Sequence, residues 1–146
     1  MKVAYPTIFT EVETNILIEI PDLQILTEAN EEGKNKKGLA EAVEMARDAI
    51  GIYCIHMEDE GKEFINPSKI QEIDITTSTF YENGKTFVSI VDVDLSVYRQ
   101  KNDFKMIRRN VTLPNWLNKE AEAAHINVSR VLQEALISKL NINKIV

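Results

Sequence analysis

"KMIRRNVTLPNWL", Lys105 to Leu117, decides how this chain is read. From Met106 to Leu113 its residues alternate. On an extended strand Ile107, Val111 and Leu113 fall on one face, and Arg108, Asn110 and Thr112 on the other. Pro114 follows, and its missing N–H is acceptable in the first turn of a helix. Trp116, Leu117, Ala121 and Ala124 recur at helical spacing. "HINVS" breaks that helix, and Asn127 is placed to cap a second one carrying Val128, Val131, Leu132, Ala135, Leu136 and Leu140.

One strand and two helices in residues 105–146 cannot bury enough apolar surface alone, and the strand has no partner within its own unit. Pairing with the same strand of a second copy meets both needs. The expected product is a homodimer: an antiparallel two-stranded ribbon over four helices, with Ile107, Val111, Leu113, Trp116, Leu117, Leu132 and Leu136 in its core. Such a ribbon fits the DNA major groove. Arg108, Asn110 and Thr112 are then the base-reading row. Lys105 and the helix start at Asn127, Val128 and Ser129 are the expected phosphate contacts. Arg109 lies on the apolar side by alternation and is expected to snorkel outward. This is a ribbon-helix-helix pattern. The bland alternative is an edge strand and helical hairpin that complete the first domain.

The rest of the chain is compatible with a separate domain. The full chain of 146 residues is 44% hydrophobic, long enough for one ordinary domain or for a domain of about 100 residues with a small appendage, and no run of about 18 apolar residues suggests a membrane span. "MKVAYPTIFTEVET" lacks the apolar stretch of a secretory signal, and Cys54 has no disulfide partner; a cytoplasmic protein is expected. Charge is divided unevenly. Residues 1–104 hold 10 basic and 20 acidic side chains, net −10, whereas residues 105–146 hold 7 and 3, net +4. An acidic body with a basic tail suggests two partners of opposite charge.

In residues 1–95, "KVAYPTIFT", "NILIEI" and "LQILTEA" read as strands, with the Pro21-Asp22 break before the third. "NEEGKNKKG" reads as a loop. Leu39, Ala42, Val43, Ala46, Ile50, Tyr53 and Met57 then form the stripe of a long helix, with Gly61 placed to end it in a left-handed cap. Asn66-Pro67 predicts a turn, Asn83-Gly84 a two-residue hairpin turn, and "TFVSIVDVDL" a strand. "SVYRQKNDF" predicts a linker over 96–104. The class expected is α+β: β-β-β-α-β, then β-α-α over 105–146.

Taken together, "YPTIFT", "PDL", "LAEAVEMARDAIGIY", "VDVDLSVY" and "RRNVTLPNWLNKEA…INVSRVLQEAL" resemble the HicB family of antitoxins over nearly the whole chain. The resemblance implies an incomplete RNase H-like first domain that binds a HicA-type toxin, an mRNA-cleaving protein. It also implies a second domain that represses the pair's own operon, and a higher oligomer with toxin is compatible with it. The toxin-facing candidates are Pro21, Asp22 and Leu23. Gln24-Ile25 stands where members often have Pro-Gly, and "EANEEGKNKKG" is longer than their usual connection.

Chemistry offers little competition. An RNase H-like outline raises metal-dependent nuclease chemistry at Asp92 and Asp94, with Glu19 and Asp22 beside them, but acidic pairs are common in so acidic a domain. His56 and His125 stand alone, and no phosphate-binding glycine loop or nucleophile elbow is present. No catalytic residue, metal or cofactor is expected. The second functional reading is a stand-alone ribbon-helix-helix repressor whose first domain senses a small molecule.

Overall fold

The computed structural model describes residues 1–29 and 38–143, and divides the chain into two compact units, Met1–Tyr98 and Arg99–Val146. The loop expected at Asn30–Gly38 lies outside the described residues except for Gly38.

The first unit is a four-stranded antiparallel sheet with one long helix. Its strands are β1 (Lys2–Glu11), β2 (Ile16–Ile20), β3 (Ile25–Glu28) and β4 (Lys85–Asp94), in the order β3-β2-β1-β4. A proline in a central strand needs an explanation, and the register supplies one. Leu95 N–H donates to Met1 C=O, so the odd-numbered residues of β1 bond to β4 and the even-numbered ones face β2. The β1–β2 ladder begins only at Ile8, so Pro6 sits beyond it and no donor is lost.

Alternation along these strands puts Tyr5, Phe9, Ile16, Ile18, Ile20, Val91 and Val93 on one face, all buried. The helix α1 (Leu39–Asp59) packs there through Ala42, Ala46, Ile50 and Cys54. It ends as the sequence indicates. Gly61 has φ 66, its N–H bonds Glu58 C=O at 3.0 Å, and Lys62 N–H bonds Met57 C=O at 2.8 Å, a Schellman closure.

The other face of the sheet is covered by chain between α1 and β4. Ile8 points away from α1 and is nevertheless buried. Short 3-10 turns at Ile70–Glu72 and Ile75–Thr77 lie against β4, and a third, Tyr81–Asn83, lies against β1. Here the expected hairpin is corrected. Asn83 closes a 3-10 turn and Gly84 is extended at φ −179, whereas a two-residue hairpin turn needs left-handed backbone. Gly84 is needed for another reason. A Cβ there would stand 2.0 Å from the Glu11 carbonyl oxygen.

The segment expected as a linker is largely helical. Residues Leu95–Asn102 form a helix, α2, begun by the Asp94 carboxylate, which accepts from the N–H groups of Ser96 (3.1 Å) and Val97 (3.3 Å). Eight residues are too few to display a helical period.

The second unit contains α3 (Asn115–Ala123) and α4 (Val128–Lys139). Pro114 is the N-cap of α3 rather than its first helical residue. Asn127 caps α4, its side-chain oxygen accepting from Arg130 N–H at 3.1 Å. Both helices close like α1, with His125 (φ 54) and Asn141 (φ 53) in the glycine-like position.

Candidate functional surfaces

Residues 103–114 form no strand within one chain. A strand exists only through hydrogen bonds to a neighbour, and among the described residues this segment pairs with none. The proposed base-reading row Arg108, Asn110 and Thr112 is exposed, as is Lys105. Its apolar counterpart is exposed too: Ile107 is 80% accessible and Trp116 68%, with Val111, Leu117 and Leu136 also in water. Leu113 and Leu132 are half-buried. Five of the seven proposed dimer-core residues are therefore uncovered in a single chain. Val128 and Ser129 occupy the first turn of α4, where N–H groups have no intrahelical acceptor. Asn127, by contrast, already spends its side chain on the cap.

The first unit presents a different picture at the toxin-facing candidates. Pro21–Leu23 is a turn of 3-10 helix ending β2, closed by Gln24 at φ 54. Leu23 is only 8% accessible and packs in the core. Both oxygens of Asp22 are occupied: Oδ2 accepts from Ser68 N–H at 2.8 Å and Oδ1 from Ser68 Oγ–H at 2.6 Å. Glu19 does the same further along. It accepts from Ser78 Oγ–H (2.5 Å), Thr79 N–H (3.1 Å) and Thr79 Oγ1–H (3.2 Å). These two carboxylates hold the strap of residues 66–84 to the sheet. Sequence reading missed this role, because nothing local links Asp22 with a serine 46 residues away.

The start of the strap is clamped by two tyrosines. Tyr5 O–H donates to Ile65 C=O at 2.6 Å, and Ile65 N–H donates to Tyr53 Oη at 3.4 Å. Burial pushes the Tyr5 hydroxyl up to about 12, helped by the nearby Cys54, Tyr53 and Asp22.

Residues 8–136 match the family described as the HicB_like antitoxin of bacterial toxin-antitoxin systems. The chain belongs to that family. A solved structure, "Toxin-Antitoxin complex from Streptococcus pneumoniae", is 24% identical and covers 95% of this chain and 99% of its own, with a TM-score of 0.56, which supports the fold. No curated protein sequence matches the chain significantly.

In this HicB-like antitoxin the four carboxylates weighed for metal chemistry have separate partners. Glu19 and Asp22 hold the strap, Asp94 caps α2, and Asp92 receives Arg47 at 3.4 Å. Among the described residues no three His, Cys, Asp or Glu side chains are grouped as a metal site. No helix among them is long and apolar enough to cross a membrane.

Proposed function

We propose that this antitoxin binds and occludes a HicA-type mRNA-cleaving toxin through its first unit, and represses its own operon through a ribbon-helix-helix dimer formed by its second. On this reading the first unit is an incomplete RNase H-like domain with no catalytic role, and the protein works in the cytoplasm. The observation that carries the proposal is family membership across both units, residues 8–136. The charge division supports it. A net charge of −10 over residues 1–104 suits a basic RNA-binding partner, and +4 over residues 105–146 suits DNA.

Because Asp22 and Glu19 are engaged with the strap, the acidic groups offered to toxin lie elsewhere. Exposed Glu41 on α1, with Glu72 and Glu82 on the strap, are the better candidates. The second unit supports pairing through its uncovered apolar residues. Joining two copies of 106–113 gives each strand a neighbour and covers Ile107, Val111 and Trp116.

The test is co-expression of the full chain with a HicA-type toxin, followed by pull-down and RNA-cleavage assays at two salt concentrations. The expected result is a complex in which cleavage is suppressed and association slows as salt rises. Failure to bind such toxins, with operator binding that instead responds to a small molecule, would establish the stand-alone repressor.

A further inference from the structure

The strand β4 is an edge with an open, self-complementary row of main-chain groups. It is last in the sheet order and, among the described residues, pairs only with β1. The Leu95–Met1 hydrogen bond sets its parity: odd-numbered residues turn their N–H and C=O toward β1, and even-numbered ones turn theirs outward. Thr86, Val88, Ile90 and Asp92 therefore face away from the sheet. At Asp92 the edge is closed, because Arg47 reaches round from α1 and donates from Nε to the Asp92 carbonyl oxygen at 3.1 Å. At Thr86, Val88 and Ile90 no backbone partner stands opposite among the described residues.

Long unguarded edges invite pairing, and soluble proteins ordinarily block them with charge, proline or a bulge. The stretch Thr86–Val91 has none of these. It is uncharged and free of proline, its ladder with β1 runs unbroken, and Ile90 near its end is 46% accessible. This is unusual in a unit so acidic elsewhere.

We infer that β4 pairs antiparallel with β4 of a second copy of this chain, about a two-fold axis through Val88. The open row dictates this register. Val88 meets Val88, Thr86 meets Ile90 and Ile90 meets Thr86, so every open N–H and C=O finds a partner and Arg47 keeps its place at Asp92. An axis normal to the sheet keeps each face continuous. Phe87 then faces Ser89 on the α1 side, and Asp92 faces Gly84, so no acidic side chain meets another. A strand from a basic toxin would gain nothing from this uncharged stretch, whereas a second copy is matched residue by residue. The result is one sheet running β3-β2-β1-β4-β4-β1-β2-β3 through two chains. The pairing makes no use of the tail, and where two tails also pair, as in the proposed function, it links those dimers.

Variants of the full chain that each carry one introduced cysteine, beside the buried Cys54, test the register. Two Val88→Cys residues would lie about 5.5 Å apart as a directly opposed pair, within disulfide range. Thr86→Cys residues of the two copies, or Ile90→Cys residues, would be about 13 Å apart along the strands and out of range. The expected result is a disulfide-linked two-chain product with Val88→Cys, little with either other variant alone, and cross-linking restored when those two are mixed. In the unmodified chain, amide exchange at Val88 and Ile90 should slow as concentration rises, while Phe87 and Ser89 stay protected throughout by β1. No Val88→Cys product together with concentration-independent exchange at Val88 and Ile90 would overturn the inference. So would equal cross-linking of all three variants. Protection of those two amides only after toxin is added, without a Val88→Cys product, would assign the edge to the toxin instead.

Discussion

The ring of Tyr98 occupies the space a side chain on Gly51 would need. A Cβ at Gly51 would lie 2.6 Å from Tyr98 Cε2. The Tyr98 hydroxyl donates to Asp48 Oδ1 at 2.7 Å, and burial, followed by that carboxylate, raises its pKa. In this way Tyr98, the last residue of the first unit, is seated on α1. Gly51→Ala should therefore destabilise the protein by about 1–3 kcal/mol through overpacking, although alanine is the better helix former. In a Tyr98→Ala background the cost should disappear or reverse. Urea denaturation of the four-member cycle measures it, and a stabilising Gly51→Ala in the parent chain would contradict this packing.

Asp22→Ala should loosen the strap rather than simply weaken toxin contact. Loss of two hydrogen bonds to a carboxylate predicts destabilisation of about 1–3 kcal/mol, with faster exchange at the Ser68 amide. Glu19→Ala should do the same at Thr79. Limited proteolysis within residues 66–84 checks both. For this reason Asp22→Lys is a poor probe of the toxin surface, and Glu41→Lys a better one.

Alkali should unfold the first unit early. Burial, then Glu58, raises the Cys54 thiol from 9.0 to about 11, and the Tyr5 hydroxyl stands at about 12 against an ordinary 10.0. Both groups release protons more readily when unfolded. Their contribution is thus complete below the unfolded values and is lost as pH rises through the folded ones. Melting temperature should fall progressively above about pH 9, and less steeply in Cys54→Ala. A flat profile to about pH 11 would rule out protonation-linked stability at these sites.

Trp116→Ala separates a paired tail from a lone one. In a single chain the indole is 68% accessible, so its removal should cost little. If two tails share a core, the same change should weaken the dimer by about 3–5 kcal/mol. Sedimentation equilibrium distinguishes the two, and an unchanged dimer constant would remove Trp116 from the interface.

Asn110→Ala and Lys105→Ala should differ in kind. Asn110 is expected to read a base edge, so its loss should cost about 1–3 kcal/mol of operator preference and leave non-specific binding nearly intact. Lys105 is expected to hold a phosphate. Its loss should weaken binding to all sequences and flatten the salt slope by about one. Titration against operator and scrambled DNA at two salt concentrations decides the matter. Equal losses with Asn110→Ala would make the row a backbone grip.

Local chemistry in the sequence determined the elements that are complete within a few residues. The stripe from Ala42 to Cys54, the left-handed cap at Gly61, the Asn127 cap and the two tail helices all depend on neighbours within a turn or two. Composition likewise marked the acidic body and basic tail. Only the tertiary structure decided that residues 66–84 cross the far face of the sheet without forming a hairpin. It also decided that Asp22 and Glu19 are anchors and that Tyr98 closes the first unit against Gly51. The reason is separation along the chain. Asp22 meets Ser68 across 46 residues, Tyr98 meets Asp48 across 50, and Glu19 meets Ser78 across 59. Hydrogen bonds between short polar side chains leave no periodic trace, so these partners became visible only when the sheet brought them together.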